Sequence, residues 1–261
     1  MNYGLYLSAS GVLTNMYRQD VFSNNLANVE TAGFKRDLPT IRQRAPESIE
    51  DQFGSDVNKR LLDKLGGGVL AGQQRIDFSP NPIQKTGGPL DVALDSPDTF
   101  FVVTDGNAGG DQNAIRLTRD GRFSRNDDGL LTLVSSGHRV LDTQNQPIRL
   151  TDTAPASIDG AGRVMQDGQE VARLQVTSVS DKNGLVKQGQ NLFRFDGQND
   201  LRIPAQRTSV RPGFVESSGV DPITALMQLI AATKAVTSNG NLIRYHDTLM
   251  DRAVNVLGRV A

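Results

Sequence analysis

The chain has 261 residues, of which 37% are hydrophobic and only 5% aromatic, and it contains neither Trp nor Cys. That length allows one large domain or two of ordinary size with a real, largely aliphatic core, and the lack of cysteine excludes disulfides, thiol catalysis and cysteine metal sites. The formal net charge of −1 gives no general attraction to nucleic acid or to an anionic membrane.

The N-terminal segment does not have the composition of a standard cleavable signal peptide. MNYGLYLSASGVLTNMYRQD lacks a basic start and a continuous apolar core. No apolar run in the chain approaches the roughly 18 residues that a membrane-spanning helix needs. We therefore expect no membrane insertion and no cleavage of a signal peptide. If the protein is exported from the cytoplasm, we expect the export to depend on a different signal.

Residues 3 to about 28 predict one amphipathic helix, about 37 Å long at about 1.5 Å per residue. Apolar residues recur there at steps of three and four, no Pro interrupts them, and Gly11 weakens the helix only slightly. The stripe that would form a coiled-coil seam consists of Leu5, Ala9, Val12, Met16, Gln19, Phe22 and Leu26.

This helix ends in an asparagine-rich stretch, NNLANVETAGFKR, which begins at Asn24. Asn24 and Asn28 are four residues apart and share a helix face, whereas Asn25 points about 100° away. One interpretation is simple termination of the helix, with Gly33 in a left-handed conformation. The other is that uncharged donors and acceptors lock the helix to a neighbour in one register, as would suit an assembling subunit.

Residues 35–73 predict an extended arm or connector with little core of its own. Pro39 ends any helix, and a polar, charge-mixed stretch follows it. Loops of this length are usually functional or disordered. We expect residues 66–68, three consecutive glycines, to be a flexible joint, since no phosphate-binding motif surrounds them.

Residues 74–215 predict an antiparallel β domain of about a dozen short strands. Runs rich in Val, Ile, Leu, Phe and Thr alternate there with turns that contain Gly, and residues 100–104 and 130–134 are typical strands. Gly accepts the positive φ that tight turns need. Hairpin turns are therefore predicted at residues 119–122, 127–129, 167–168 and 196–197.

A second long helix is predicted from Asp221-Pro222 to the C-terminus. Asp can cap a helix, and Pro fits its first position. Residues 238–240 are a weak point within the helix. The apolar stripe contains Leu226, Ile230 and Thr233, and then Leu242, His246, Leu249, Ala253, Val256 and Val260.

Together these segments predict an α+β fold, in which long N- and C-terminal helices pair as a coiled coil and a mainly antiparallel β domain is inserted between them. The expected domains are a terminal helical core (1–34 and 216–261), an arm (35–73) and a β-rich outer domain (74–215). An isolated pair of helices of this size is marginal in water. The stripes therefore indicate packing against copies of the chain or against relatives.

Nothing in the sequence indicates an enzyme. The two histidines are separated, with His138 in a predicted turn and His246 in the C-terminal stripe, where we expect a contact between helices. The Asp-Asp-Gly at residues 127–129 lacks the further ligands of a calcium loop. No carboxylate lies in an apolar setting that would suit glycoside hydrolysis. We predict no catalytic, cofactor or metal site.

The segment SGVLTNMYRQDVFSNNLANVETAGFKR is very similar to the N-terminal signature of bacterial flagellar basal-body rod and hook proteins. The β region resembles theirs in TGGPLDVALDSPDTFFVV, LTRDGRFSRNDDGLLTLVSSGHRVL and KQGQNLFRF, and GFVESSGVD before a long helix resembles their closing motif. The resemblance covers most of the chain and is least at residues 36–73. The chain departs from the family at residues 217–220, where Ser-Ser-Gly-Val replaces x-Ser-Asn-Val, and at residues 234–237, where Lys-Ala-Val-Thr replaces an Arg-Ala-Tyr-Glu-like segment.

The resemblance implies a structural subunit of the flagellar rod, which polymerises through its terminal helices into a helical tube and transmits torque across the periplasm. The implied partners are copies of the chain, other rod and hook proteins, the flagellar type III export apparatus and the surrounding basal-body rings. The short N-terminal start resembles the proximal or distal rod type. The residues expected to make assembly contacts are Asn24, Asn25, Leu26, Asn28, Thr31, Gly33, Phe34, Leu226, Ile230, Leu242, Leu249 and Val256.

Two alternatives remain open at this point. Within the family, the chain could be a hook-type or rod–hook junction subunit. Outside it, the chain could be a secreted β-domain binding module whose helices form a closed coiled coil. The closed module predicts helices that are satisfied within one chain, whereas a polymer subunit predicts helices that need partners.

Overall fold

The computed structural model describes residues 3–45, 66–105, 115–151, 154–196, 202–204 and 209–257. The chain divides into two compact units. The helical unit comprises Met1–Ala27, Asp37–Asp77 and Val220–Ala261, and the β unit comprises Asn28–Arg36 and Phe78–Gly219.

The terminal helices pack against each other in the helical unit, which confirms the expected pairing. Helix α1 spans Tyr3–Ala27 and helix α2 spans Pro222–Arg252, followed by a π-helical turn at Ala253–Leu257. The Asp221 side chain accepts a hydrogen bond of 2.7 Å from the backbone N–H of Thr224. It caps α2 as predicted and satisfies one of the N–H groups that a helix start leaves unpaired.

Two antiparallel ribbons complete the described part of the helical unit. Strand β1 (Asp37–Leu38) pairs with β4 (Arg75–Ile76), and β2 (Ile41–Gln43) pairs with β3 (Val69–Ala71). The Thr14 hydroxyl of α1 donates to the Val69 carbonyl at 3.3 Å. The described residues of the predicted arm are therefore paired strands lying beside α1.

The expectation of a flexible joint at residues 66–68 is wrong. A side chain at Gly68 would lie 2.6 Å from the Ser10 hydroxyl of α1, and the Gly68 carbonyl accepts a hydrogen bond from Arg44 N–H at 3.0 Å. The run of small residues here serves close packing of the ribbon on the helix, and close packing is the other common reason for glycine.

The β unit holds sixteen short strands among its described residues, all joined by antiparallel pairing. They are β5 (Ile83–Lys85), β6 (Val92–Leu94), β7 (Thr99–Thr104), β8 (Ile115–Thr118), β9 (Phe123–Arg125), β10 (Leu131–Leu133), β11 (Arg139–Val140), β12 (Ala156–Ile158), β13 (Arg163–Gln166), β14 (Gln169–Arg173), β15 (Val176–Val179), β16 (Leu185–Lys187), β17 (Leu192–Phe195), β18 (Arg202–Pro204), β19 (Val210–Pro212) and β20 (Phe214–Glu216).

A nine-stranded sheet organises the β unit. Its order is β16-β17-β8-β7-β11-β10-β9, and β15 joins it by pairing with both β7 and β18. The strands β12, β13 and β14 form a second sheet, and β6–β19 and β5–β20 form two ribbons. Strand β7 is buried along nearly its whole length, which explains its continuous apolar sequence rather than an alternating one.

Two of the predicted hairpin turns are confirmed. Residues 127–129 connect the paired strands β9 and β10, and Asp167-Gly168 connects β13 and β14. Asp167 and Gly168 both have positive φ, at 49° and 75°, as a two-residue turn of the primed type requires. The turn predicted at residues 196–197 extends outside the described residues.

The hairpin predicted at residues 119–122 is wrong. Strand β8 before it pairs with β7 and β17, whereas β9 after it pairs with β10, so the two strands do not form a hairpin. Arg119 and Asp120 are buried instead. Gly121 is needed because a side chain there would strike the Val92 backbone.

The core of the β unit is aliphatic with a few phenylalanines, as the composition predicts. Phe101 and Phe123 meet edge to face with their ring centroids 5.2 Å apart. The buried cluster around them contains Val92, Leu94, Val103, Leu131, Leu133, Val140, Ile148, Leu150, Ile158, Val164, Leu174, Val176, Leu192 and Val210.

The division into compact units groups two segments differently from the predicted domains. Residues 28–36 belong with the β unit, and residues 37–77 belong with the helical unit. The three-part organisation into helical core, arm and outer domain stays a prediction.

Candidate assembly surface

The terminal helices pair antiparallel, and two glycines of α1 allow their close approach. A side chain at Gly4 would lie 2.7 Å from the His246 ring, and one at Gly11 would lie 2.7 Å from the Asn239 amide. Both pairs repeat after seven residues on each helix, which is the period of a coiled-coil seam. The predicted contact of His246 between the helices is confirmed.

The seam between the helices is built from small and polar side chains. Ala225, Ala232, Asn239 and His246 follow one another at seven-residue steps on α2, and the two alanines are buried. On α1, Gly4 and Gly11 meet α2, and Ser8, Thr14, Val21 and Phe22 are buried. Because hydrophobic stabilisation scales with the apolar area removed from water, these alanine and glycine positions each contribute little of it.

Many of the large apolar side chains of the helices are exposed, and we call them together the outward apolar surface. Within the described chain their exposed fractions range from 45% for Met250 to 70% for Ile223. Large apolar side chains exposed in such number are typical of interaction sites. The surface consists of Tyr6, Leu13 and Met16 on α1, and of Ile223, Leu226, Met227, Ile230, Leu242, Tyr245, Leu249, Met250 and Val254 on α2 and its last turn.

Four of the predicted assembly residues lie on this surface. Leu226, Ile230 and Leu242 are each about half exposed, and Leu249 is 62% exposed. They are therefore not the residues that pair α2 with α1. The side chain of Val256 lies outside the described residues, as does the whole of Val260.

Asn25 is engaged within the chain. Its side chain is buried, donates to the Asp37 carbonyl at 2.8 Å and accepts from the Asp37 N–H at 2.8 Å. The amide thus occupies both hydrogen-bonding groups of one residue of β1, as a neighbouring strand would. It covers that edge of β1 and joins the end of α1 to the start of the ribbon.

The neighbouring signature residues take different places. Asn24 is exposed and Leu26 is half-buried. The Asn28 carbonyl accepts from Thr31 N–H at 3.2 Å, and its side-chain oxygen accepts from the Thr31 hydroxyl at 3.1 Å. Asn28 therefore closes the turn after α1, as the termination interpretation predicts. A role of these residues between subunits stays a prediction.

Gly33 and Phe34 lie inside the β unit, next to three residues that the sequence did not single out. Lys35 is fully buried and its ammonium lies 2.7 Å from Glu216 Oε1. The other carboxylate oxygen of Glu216 accepts from Arg119 Nε at 2.7 Å. A sequence signal for this cluster exists only in the two motifs themselves, since Lys35 ends TAGFK and Glu216 lies in GFVESSG.

The described residues contain no metal site, because no group of three or more His, Cys, Asp or Glu side chains is placed to hold an ion. Among them, the pKa shifts that are resolved belong to ion pairs and a helix cap. Burial lowers the pKa of the Lys35 ammonium, and the hydrogen bonds from Thr224 lower the pKa of Asp221. These groups serve structure.

No helix in the described part of the chain combines the length and hydropathy that a membrane span requires.

Two family descriptions match the ends of the chain. Residues 5–35 match "Flagella basal body rod protein", and residues 211–256 match "Flagellar basal body rod FlgEFG protein C-terminal". The matched stretches contain α1 with the asparagine-rich stretch, and most of α2 with the Glu216 motif. Both helices of the pair and both halves of the buried ion cluster thus fall within or beside family signatures.

Full-length relatives give the same result. The flagellar basal-body rod protein FlgF of Caulobacter vibrioides is 29% identical over 261 residues, covering 100% of both chains. FlgG of the same species is 30% identical over 265 residues, covering 94% of this chain and 96% of its own. FlgG of Bacillus subtilis is 28% identical and covers 97% and 98%.

The sequence resemblance is therefore confirmed along the whole chain and not only at its ends. The members are structural proteins of the bacterial flagellum and not enzymes. This chain belongs to the flagellar basal-body rod protein family and is a structural subunit of that rod.

Proposed function

We propose that this chain polymerises through the outward apolar surface of α1 and α2 into a helical rod, beside copies of itself and other rod and hook proteins. One observation carries the proposal. In α2 the small residues Ala225 and Ala232 are buried, whereas the large apolar Leu226 and Leu249 remain 48% and 62% exposed. A helix with apolar side chains on two sides is typical of the interior of an assembly.

The energetics favour burial of this surface in an assembly. Fully burying a Leu, Ile or Met side chain is worth roughly 1.5–3 kcal/mol. Even half of that, summed over the twelve side chains of the surface, is a large gain that the single chain does not realise. The alternative of a closed binding module predicts the opposite distribution, with the large apolar residues inside the pair.

Contacts of this kind generate a filament when they join different surfaces of successive copies, because a head-to-tail contact that does not close into a ring continues indefinitely. In the proposed rod, Leu226, Ile230, Leu242 and Leu249 contact neighbouring helices. The rod crosses the periplasm and transmits torque, and the chain reaches it unfolded through the flagellar type III apparatus, without cleavage. The similarity of this chain to named flagellar basal-body rod proteins supports this location and export route.

The test is Leu249→Asp in a flagellated host that lacks its own copy of the subunit. A carboxylate on a surface that becomes buried is strongly unfavourable, so we expect no complete rods in basal bodies purified for electron microscopy and no motility. Far-UV circular dichroism of the purified variant should match wild type, because position 249 is exposed in the single chain.

The matched control is Val171→Asp, which places the same charge at an exposed aliphatic position of β14 in the β unit. We expect it to assemble normally. Normal rods with Leu249→Asp, or equal loss of rods with both variants, would refute the assignment of the outward apolar surface.

A further inference from the structure

One segment of the β unit is separate in sequence from the rest of it. Residues 28–36 belong to the β unit, although the stretches on both sides, Met1–Ala27 and Asp37–Asp77, belong to the helical unit. The remainder of the β unit starts only at Phe78. Within this unit the segment is therefore bound by contacts rather than by chain continuity.

The backbone of the segment is held at three consecutive residues. The backbone of each of these residues forms a hydrogen bond with a group that lies much later in the chain, as the backbone of a bound peptide does with its receptor. The bonds run from Asn191 Nδ2 to Ala32 O (2.7 Å), from Gly33 N to Glu216 O (2.7 Å), and from Gly219 N (2.9 Å) and Asn81 Nδ2 (3.1 Å) to Phe34 O.

The position of Gly33 admits no other residue. Its φ is +67°, and a Cβ there would lie 2.5 Å from the carbonyl carbon of Arg119 and 2.6 Å from the nitrogen of Asp120. Both neighbours are backbone atoms of a buried segment, so they cannot move aside as a side chain could. The site therefore selects glycine by conformation and by close approach.

The next position selects an aromatic residue. The Phe34 side chain is buried, and the Lys187 ammonium lies 4.1 Å from the centroid of its ring, a distance at which cation and ring attract each other. The same ammonium donates to the carbonyl of Lys35 at 2.5 Å. Lys187 thus binds the segment through a side chain and through the backbone.

The last position selects a cation of the length of lysine. Lys35 is 0% exposed, and its ammonium donates to Glu216 Oε1 and to the Ser79 carbonyl, each at 2.7 Å. Burial lowers the pKa of Lys35, and the Glu216 carboxylate opposes this shift. Arg119 holds the other oxygen of the carboxylate, so the acceptor is already oriented for the ammonium.

We propose that the β unit contains a peptide-docking site for an Ala-Gly-Phe-Lys segment, which residues 32–35 of the same chain occupy. Each of the last three positions is selected by a different device: close backbone approach for Gly, a cation over the ring for Phe, and a buried carboxylate for Lys. The docked segment joins residues 28–36 to the rest of the β unit. A separate peptide of the same sequence is the ligand that fits the site once the chain's own segment is displaced.

The experiment uses the full chain with Gly33→Val, which should displace its own segment, and a fluorescent peptide of native sequence spanning residues 29–37. We expect fluorescence anisotropy to show at least tenfold tighter binding to the variant than to wild type, whose site is occupied. Two control combinations should show no measurable binding. In the first, the peptide itself carries Gly33→Val and is added to the Gly33→Val chain. In the second, the native peptide is added to a chain that carries both Gly33→Val and Glu216→Gln. Equal binding to wild type and variant would overturn the proposal.

Hydrogen exchange decides the remaining outcomes. If residues 32–35 stay protected in Gly33→Val, or if they lose protection and the peptide still does not bind, the proposal is refuted. A measurement on wild type covers the case in which the variant does not fold. The amides of Gly33 and Gly219 both donate across the docking contact, so they should exchange through one common opening, and unequal protection of more than tenfold would contradict docking.

Discussion

Replacing Glu216 by Gln would test the energy of the buried ion cluster most directly. The carboxylate is 2% exposed, and it is the acidic partner of two cations, Lys35 and Arg119, that are themselves 0% and 3% exposed. Glutamine keeps nearly the same volume and loses the charge. The variant therefore leaves two buried cations opposite a neutral amide, and it creates no cavity.

The expected loss follows from the cost of breaking a buried pair. Removal of one partner typically destabilises a protein by about 3–5 kcal/mol, because the other charge stays buried without compensation. Domains unfold with a total of about 5–15 kcal/mol, so the change is a large fraction of the whole. With an m-value of about 2 kcal/mol per molar urea, the midpoint should fall by roughly 1.5–2.5 M.

The assay is hydrogen exchange followed by mass spectrometry across a urea series, with the peptides of β7 and β8 reporting on the β unit alone. The matched control is Glu170→Gln, because Glu170 also faces two arginines but is 42% exposed. Exposed pairs are worth about 0–1 kcal/mol, so the control midpoint should stay within about 0.5 M of wild type. A shift in Glu216→Gln no larger than in the control would refute the reasoning.

Three further predictions concern the helical unit. Asn25→Ala removes the two hydrogen bonds that the amide makes to the Asp37 backbone at a buried position, which should cost about 1–3 kcal/mol and raise the exchange rate of the Asp37 amide. A folded variant with unchanged exchange would contradict this role of Asn25. Gly11→Val brings a side chain into the Asn239 amide and should separate the helices. Hydrogen exchange should then show lost amide protection in α1 and unchanged protection in the β-unit peptides. The lowered pKa of Asp221 means that its contribution to helix capping is fully present above pH 3.8, the ordinary pKa, and is lost as the pH falls through the lower pKa of the folded chain. Asp221→Asn should remove this pH dependence from the hydrogen exchange of the Thr224 amide. An unchanged acid profile in the variant would argue against the cap.

The helices could be predicted from the sequence because their signals are local. The cap at Asp221, the proline after it and the three-four periodicity all lie within a few residues of the structure they specify. The face that α2 turns toward α1 could not be predicted in the same way. A hydrophobic stripe such as Leu226 and Ile230 shows that a helix needs an apolar partner, but it does not show whether that partner is in the same chain.

The candidate site was predicted in part. The signature residues were identified, and Asn28 ends the helix as one interpretation required. The burial of Lys35 was missed because charged side chains are almost never fully buried unless they are paired, and its partner Glu216 is 181 residues away. No local pattern carries that information.

The wrong turn at residues 119–122 has a similar origin. Gly after Asp is the strongest short hairpin signal, but Gly121 is required here by its contact with the backbone at Val92. A glycine that permits close packing and a glycine that permits a turn look the same in a sequence. The pairing partners of β8 and β9 decide between the two, and they are long-range contacts.

The 181 residues between Lys35 and Glu216 also set an order of events during synthesis. A ribosome must finish nearly the whole β unit before the carboxylate that receives Lys35 exists, and closing so long a loop carries an entropy cost that grows with the logarithm of its length. Contacts of such sequence separation form slowly. The N-terminal segment of a nascent chain therefore lacks the acceptor for its Lys35 ammonium until translation is almost complete, and a chain that stops before residue 216 cannot form this ion pair.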